Sequence, residues 1–479
     1  MLTLAAMTNF SNLVRLADGM RDTRLMAKRT SETFHEYKAR VIDSKSKSFC
    51  GAKWLNASIW LGSGLTSSCH LPPAHAIDLD QLKTDPSALH NTLYKKQLRN
   101  MMQIGDFPSE CNYCWKIEES GQEILSERVF KTQQFTDSEL EEAFTSDPNQ
   151  NSKLVSLEIG FDRTCQMTCS YCSAAFSSSW AQDIKINGAF QNLKSDGGNH
   201  FIHNGDHQSI HKTSENSYVQ AFWKWWPELK KTLTSLRITG GEPLLSIDFW
   251  NFFGQIADDP EAQAIFFGVN SNLMVSDQLI QKFIDQSHQI KNLRVFTSAE
   301  AYQQHANYIR SGLNYEKWKQ NIFKIADQTK IKSIYIMMTV NALCLFSICD
   351  FLDDVMTMKS KYSAELIKIS INILRFPSFQ SVVVLPVVMK NKFAQLLTEW
   401  CSLNFASVYL DEAEKESLLR LIKYLKEVQS PHPHSSATPV LQSDFKNFYD
   451  QYDKRRGFKI RECFGNEFSS WYDSIVAGD

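Results

Sequence analysis

The amino-acid sequence predicts an α/β protein with a partial (β/α)6 barrel, a small cysteine-rich α+β module in front and a mainly helical C-terminal extension. Short apolar stretches alternate with amphipathic helical stretches from about residue 153, and strands that alternate with helices form parallel sheets. Six such units are typical of an open barrel with its chemistry at the carboxyl ends of the strands. The strand pattern stops near residue 386. The six predicted strands are Leu154–Phe161, Ser235–Thr239, Ala264–Val269, Leu293–Thr297, Ser333–Thr339 and Ile367–Ile373.

These patterns divide the chain of 479 residues into four parts. We expect a helical leader over 1–44, a cysteine-bearing module over 45–150, the barrel over 151–385 and the helical extension over 386–479. Within the barrel, the segment 184–217 is rich in Gly, Asn, Ser and His, which predicts a long exposed loop. Loops of this length are typically functional or disordered. The four histidines of this segment either bind a metal or are plain solvated residues, and their irregular spacing favours the second reading.

Composition and charge narrow the function classes. The chain is 43% hydrophobic and has a formal net charge of −2, which gives no global field toward nucleic acid or anionic membrane. Its longest apolar run, Ile334–Cys349, is shorter than the ~20 residues that a spanning helix needs. The apolar start Leu2–Met7 is too short for a secretory signal, and Asp18 and Asp22 argue against the alternative of a mitochondrial transit peptide. We therefore expect a cytoplasmic protein without a membrane or nucleic-acid partner.

Cysteine usage points to metal chemistry. The eleven cysteines are an odd number in a long, core-forming chain, which disfavours a disulfide framework. Seven of them lie in three groups before residue 173. Clustered cysteines in a chain with no predicted export signal are typical of metal or cluster ligands.

Cys165, Cys169 and Cys172 follow the first predicted barrel strand with the spacing Cys-x3-Cys-x2-Cys. A cubane iron–sulfur cluster binds one thiolate per iron, so three thiolates leave one iron open. An open coordination position lets a metal site bind and activate a ligand. Half of a zinc site, a redox dithiol or plain structural thiols are the alternatives. The third cysteine and the position after a strand favour the cluster.

This loop resembles the signature of the radical S-adenosylmethionine (SAM) superfamily, and the resemblance covers roughly residues 153–375. It implies a barrel of the radical SAM type and a 4Fe–4S cluster whose open iron binds the amino and carboxylate groups of SAM. Tyr171 matches the aromatic residue that lies beside the adenine in the family. The segment Gly240-Gly241-Glu242-Pro243, directly after a predicted strand, matches the family segment that holds the methionine amino group. Two glycines allow a close approach of backbone to ligand.

Weaker matches follow at the ends of later predicted strands. Asn272 lies in Ser-Asn-Leu where the family often has Thr-Asn-Gly, so the sequence departs from the pattern there. Ser298 ends the fourth strand and Arg310 follows it; in related enzymes a serine and a basic residue hereabouts hold the ribose and the carboxylate of SAM. A guanidinium can bind a carboxylate through two nitrogens. Asn341, after the fifth strand, is a similar candidate. An ordinary capping or surface role is the alternative at each position.

Four further cysteines, Cys50, Cys69, Cys111 and Cys114, precede the barrel in two pairs. Four thiolates complete either a closed iron–sulfur cluster or a structural zinc site. The segment resembles the SPASM/twitch auxiliary module, although that module usually follows the barrel and often has adjacent cysteines where this chain has a serine before Cys69. The resemblance implies one auxiliary 4Fe–4S cluster, with zinc as the alternative.

For function, the resemblance implies that a one-electron reductant such as flavodoxin or ferredoxin reduces the first cluster. SAM then splits into methionine and a 5′-deoxyadenosyl radical that abstracts hydrogen from a substrate. The cofactors are two 4Fe–4S clusters and SAM. We expect an oxidoreductase that modifies a peptide or protein, because the auxiliary module is common in peptide-modifying enzymes. A radical SAM enzyme acting on a sugar or nucleotide is the first alternative, and a non-enzymatic metal-binding protein is the second.

Overall fold

The computed structural model of the chain describes residues 27–29, 31–119, 125–195, 201, 216–403, 408–427 and 438–476. Most of the predicted leader and the four histidines of the polar insert lie outside the described residues. The described part of the insert differs from the predicted exposed loop, because a helix extends to Asn187 and the Phe190 and Phe201 side chains are buried among other apolar residues. The strands are β1 Asn56–Trp60, β2 Leu65–Ser67, β3 His75–Ala76, β4 Ser156–Gly160, β5 Ser235–Thr239, β6 Phe266–Asn270, β7 Leu293–Ser298, β8 Ser333–Val340 and β9 Ile367–Ile373.

The helices follow the predicted alternation with the strands. They are α1 Phe34–Tyr37, α2 Ala52–Leu55, α3 Leu79–Thr84, α4 Leu93–Gln103, α5 Asn112–Glu119, α6 Glu127–Thr132, α7 Asp137–Thr145, α8 Ser178–Asn187, α9 Ser217–Leu229, α10 Ile247–Asp258, α11 Asp277–Ser287, α12 Gln303–Ile309, α13 Tyr315–Gln328, α14 Ile348–Tyr362, α15 Val387–Cys401, α16 Glu412–Glu427, α17 Thr438–Arg456 and α18 Ile460–Ser474. No helix in the described part of the chain is long and apolar enough to cross a membrane.

The chain forms two compact units. The first comprises Met1–Asp162, Ser209–Thr239 and Gln255–Gly268, and the second comprises the remaining three stretches, which begin at Arg163, Gly240 and Val269. The predicted boundaries after residues 44, 150 and 385 are not tested by this division and stay predictions.

In the first unit the strand order is β3-β2-β1-β4-β5-β6. Strand β1 pairs in parallel with β4, from Asn56 opposite Ser156 to Trp60 opposite Gly160, and β4 pairs in parallel with β5. The cysteine-bearing segment therefore adds a parallel strand beside the first predicted barrel strand. The apolar pattern of β1 indicates a strand, but a partner about a hundred residues away leaves no local signal.

In the second unit the order is β6-β7-β8-β9, with parallel pairing of β7 with β8 and of β8 with β9. Strand β8 is buried at every position except Thr339, as expected for a parallel strand covered on both faces. Side-chain caps start the covering helices, such as Ser276 before α11 and Asn314 before α13, where each satisfies a backbone N–H. The predicted α/β class with a parallel sheet and a helical C-terminal extension is confirmed.

Candidate metal and cofactor site

The loop that carries Cys165, Cys169 and Cys172 is held by the start of helix α8. The hydroxyls of Ser178 and Ser179 donate to the Cys165 carbonyl at 3.2 and 2.7 Å. The indole Nε1 of Trp180 donates to the Cys169 carbonyl at 2.9 Å. These hydrogen bonds tie the loop backbone at Cys165 and Cys169 to the first turn of the helix.

Burial raises the pKa of all three loop thiols. The pKa of Cys165 is about 12, and that of Cys172 is raised well above the ordinary value. Burial also raises the pKa of Cys169, but the nearby Arg310 guanidinium works against it. A bound metal favours the thiolate form of its ligands, so loading of this site would be coupled to release of thiol protons.

The segment Gly240–Pro243 lies directly against the cysteine loop. Gly240 has a φ of 118°, a conformation that glycine tolerates at little cost. A Cβ at Gly241 would lie 2.6 Å from the carbonyl carbon and oxygen of Arg163, and closer still to the Thr164 carbonyl. The Glu242 N–H donates to that Thr164 carbonyl at 2.6 Å. The missing side chain of Gly241 is therefore what allows the two loops to touch.

The Glu242 carboxylate joins this segment to the loop after β6. Its Oε1 accepts from the Ser271 hydroxyl at 2.7 Å and from the Leu244 N–H at 3.1 Å, and its Oε2 accepts from the Asn272 N–H at 2.6 Å. Burial raises the pKa of Glu242 to about 7. The carboxylate thus links two loops of the site, which the sequence did not predict. Its predicted contact with an ammonium group stays a prediction.

Asn272 faces the first cysteine of the loop. Its Nδ2 lies 3.9 Å from the Cys165 sulfur, and its Oδ1 accepts from the Gln166 amide at 3.0 Å. Although this chain has Ser-Asn-Leu where the family often has Thr-Asn-Gly, the asparagine still lies next to a candidate cluster ligand.

Arg310 and Tyr171 meet at a carboxylate that the sequence analysis missed. Glu300 Oε2 accepts from Arg310 Nε and Nη2 at 2.9 and 2.7 Å, and its Oε1 accepts from the Tyr171 hydroxyl at 3.1 Å. The third guanidinium nitrogen, Nη1, lies 4.0 Å from the Cys169 sulfur. An acidic residue two positions beyond the end of β7 was the available signal for Glu300, but no motif marks it.

The remaining two candidates have plainer surroundings. Ser298 is the last residue of β7 and pairs with Met337 of β8; its predicted contact with a ribose stays a prediction. Asn341 Oδ1 accepts from the N–H groups of Leu343 and Cys344 at 3.0 and 3.1 Å. Asn341 therefore performs the local capping that was its alternative interpretation.

Helix α17 of the C-terminal extension also forms hydrogen bonds with the cysteine loop. The Tyr452 hydroxyl donates to the Thr168 carbonyl at 3.0 Å, and the Tyr449 hydroxyl donates to the Ser170 hydroxyl at 3.3 Å. The Arg456 guanidinium lies 4.7 Å from the Trp180 ring centroid. Several residues of the extension are thus part of the support of the candidate site.

The four front cysteines gather in the first unit. Cys50, Cys69, Cys111 and Cys114 line one pocket. Burial raises the pKa of Cys69 to about 12 and of Cys111 to about 11, and charge on neighbouring cysteines adds to both shifts. Within the described residues, no three His, Cys, Asp or Glu side chains form a group that could hold a single metal ion. A cubane cluster does not require several ligands around one metal ion, because each of its irons binds one thiolate.

Buried basic side chains line this pocket. Lys53 forms an ion pair with Glu110 beside Cys111. Lys131 also lines the pocket and is buried; burial lowers its pKa to about 7, whereas Cys69 as a thiolate would raise it. Buried charge is costly unless it is compensated. The surroundings therefore fit an anionic group, such as a metal centre ligated by four thiolates.

Comparison with known proteins gave matches among solved structures alone. No family model and no curated protein matches the chain. Native anSMEcpe with bound AdoMet is 15% identical, with a TM-score of 0.33, and the match covers 53% of this chain and 63% of that chain. SuiB of Streptococcus suis is 12% identical, with a TM-score of 0.34 and 65% of each chain covered. A structure of SuiB bound to the precursor peptide SuiA has a TM-score of 0.33 at 12% identity, covering 73% of this chain and 69% of that one.

The chain spans less than two thirds of the first two of these structures, at 63% and 65% of their lengths. Identities and TM-scores of this size assign neither a family nor a substrate. The chemistry of the site has to be inferred from the residues of this chain.

Proposed function

We propose that the protein is a radical SAM enzyme whose SAM-binding 4Fe–4S cluster is held by Cys165, Cys169 and Cys172. The observation that carries the proposal is the direct contact of two motifs. The Glu242 N–H donates to the Thr164 carbonyl at 2.6 Å, so the Gly-Gly-Glu-Pro segment and the three-cysteine loop form one site. Each motif alone has a plain alternative, but neither alternative requires the two to meet.

The residues of this site fit a 4Fe–4S cluster that binds SAM. Three thiols can ligate three irons of a cubane and leave the fourth open. Backbone groups of Gly240 and Gly241, together with Glu242, would hold the methionine amino group beside that iron. When bound and reduced by one electron, the cluster supplies the electron that splits SAM into methionine and a 5′-deoxyadenosyl radical, which takes a hydrogen atom from the substrate.

The residues of this chain would orient SAM and shield the site from water. The bonds that Glu242 accepts from Ser271 and Asn272 fix the segment that would hold the amino group. The three cysteines of the loop are only partly exposed, which would limit the access of water to the site of radical formation and so protect a reactive species from side reactions. Hydrogen bonds from α8 and α17 hold the loop backbone that carries the three cysteines.

We further propose that Cys50, Cys69, Cys111 and Cys114 hold an auxiliary 4Fe–4S cluster. The support is that the four thiols line one pocket together with the buried Lys53 and Lys131. Zinc would use the same thiolates. Iron and zinc content of the anaerobically purified protein distinguishes the two: about eight irons per chain support two clusters, and about four irons with one zinc support a structural zinc site.

For the substrate we propose a peptide or protein, with a one-electron carrier of the flavodoxin or ferredoxin type as reductant. The support is the resemblance of the front segment to the auxiliary module of peptide-modifying enzymes. A deuterated cell extract, separated into peptide and small-molecule fractions, can test the class. Deuterium in 5′-deoxyadenosine with the peptide fraction, lost after protease treatment, supports the proposal. Label from the small-molecule fraction would favour a sugar or nucleotide instead.

The main experiment measures 5′-deoxyadenosine from the reduced, reconstituted protein. The triple replacement of Cys165, Cys169 and Cys172 by Ala should abolish it. Cys463→Ala is the matched control, because Cys463 also lies in the second unit and its thiol donates to the Gln304 carbonyl. Equal 5′-deoxyadenosine formation by the triple variant and the control would overturn the proposed function.

A further inference from the structure

Glu300 is a buried carboxylate that binds two candidate site residues, Tyr171 and Arg310, as well as the backbone of Thr339. It is 1% exposed and follows β7 by two residues. One oxygen accepts from the Tyr171 hydroxyl and the other accepts from two nitrogens of Arg310. Burial raises the pKa of Glu300, while the Arg310 charge and these hydrogen bonds hold it down. The carboxylate therefore fixes two residues whose suggested roles concern SAM.

The ion pair constrains which groups Arg310 can reach. A guanidinium presents its N–H donors in a rigid planar fork. With Nε and Nη2 on Glu300, that edge of the fork is occupied, and Nη1 is the nitrogen near the Cys169 sulfur, at 4.0 Å. The Arg310 side chain is 8% exposed. In this arrangement Arg310 faces a cluster ligand instead of presenting its Nε–Nη2 edge to a SAM carboxylate.

We propose that the Glu300–Arg310 pair sets the reduction potential of the cluster ligated by Cys169, with Glu300 as the residue that positions Arg310. The inference rests on the proposed function, since it needs a cluster at this site. Reduction adds one electron from an external low-potential carrier and no proton, so the cluster becomes more negative by one charge. A cation and an N–H donor near a ligating sulfur stabilise the reduced form, and the Glu300 charge offsets part of that effect.

The two members of the pair should therefore shift the potential in opposite directions. Arg310→Met removes the cation and leaves the anion, so reduction becomes harder. Glu300→Gln removes the anion and leaves the cation, so reduction becomes easier. We expect each change to alter the reduction equilibrium by about three- to tenfold, where tenfold corresponds to about 59 mV for one electron. The double variant should return toward the wild-type potential, because both charges are gone.

The test is an EPR-monitored redox titration of the full-length, reconstituted protein, together with SAM affinity. Glu414→Gln is the matched control, because Glu414 forms another buried ion pair, with Lys359, in the same unit; it should leave the potential unchanged. Arg310→Lys keeps the charge without the fork, and we expect a potential between wild type and Arg310→Met.

Several outcomes would overturn the inference. Shifts of both single variants in the same direction would indicate general disturbance of the site. An unchanged potential with SAM affinity reduced tenfold or more in Arg310→Met would make Arg310 a ligand of the SAM carboxylate. These failures leave the proposed function intact. A wild-type protein that takes up no iron at Cys165, Cys169 and Cys172 would instead remove the proposed function, and this inference with it.

Discussion

Replacement of Gly241 by Ala tests the contact that joins the two motifs. The new Cβ would lie 2.6 Å from the Arg163 carbonyl group and closer to that of Thr164, whereas an unstrained contact needs about 3.4 Å or more. These neighbours are backbone atoms, so no side chain can rotate away. One loop must shift by close to 1 Å, and the loop beside the new methyl group carries Cys165.

We expect this change to destabilise the second unit by about 3 kcal/mol, the upper end of the range for overpacking. The same shift should reduce iron uptake at the three-cysteine loop, because it moves a ligand. Gly254→Ala is the matched control: Gly254 lies in α10 and nothing surrounds its Cβ position within 4 Å. Alanine in a helix interior should be neutral or stabilise by up to about 1 kcal/mol.

The measurements are urea unfolding of the metal-free protein and iron per chain after reconstitution. Gly241→Ala should lower both the unfolding midpoint and the iron content, whereas Gly254→Ala should lower neither. If Gly241→Ala matches wild type in both, the close contact of the two loops is not a property of the folded protein in solution.

Three further outcomes follow from the site. Tyr452→Phe should cost about 1 kcal/mol, because the Thr168 carbonyl loses a buried donor; thermal unfolding checks this, and an unchanged midpoint would contradict it. Burial raises the pKa of Glu242 from the ordinary 4.5 to about 7, so between these two pH values the folded state holds a proton that the unfolded state has lost. Wild type should therefore lose stability relative to Glu242→Gln as the pH rises through that window; parallel stability curves from pH 4.5 to 7 would refute this. Replacing Cys111 and Cys114 by Ala should lower iron from about eight to about four per chain while cleavage of SAM continues; retention of eight irons would exclude them as cluster ligands.

The barrel strands could be predicted because their signal is local. In each of β4 to β9, apolar residues either follow one another or alternate with polar ones, and the predicted and observed limits differ by at most two residues at either end. The helical extension was equally visible from its periodicity. The pairing of β1 with β4 was not, because parallel partners are joined by hydrogen bonds that leave no trace in composition.

The site was predictable where a motif marks it and not elsewhere. The three-cysteine loop and Gly240–Pro243 have fixed spacings, so their residues could be named. Glu300 stands 129 residues from Tyr171, and Tyr452 stands 284 residues from Thr168. Supporting contacts of this kind depend on how distant segments pack, and a single sequence carries no record of them. The same limit explains why the ion pair of Arg310 with Glu300 could not be predicted; contact of Arg310 with a SAM carboxylate stays a prediction.

The most direct test of the central claim is the response of the reduced cluster to SAM. The claim is that three thiolates at Cys165, Cys169 and Cys172 leave one iron open for SAM. EPR spectra of the reduced protein, recorded with and without SAM, report ligation at that iron. We predict that SAM changes one cluster signal, and that the Cys165, Cys169 and Cys172 triple Ala variant lacks that signal. A spectrum unaffected by SAM, or a SAM-responsive signal that persists in the triple variant, would contradict the account.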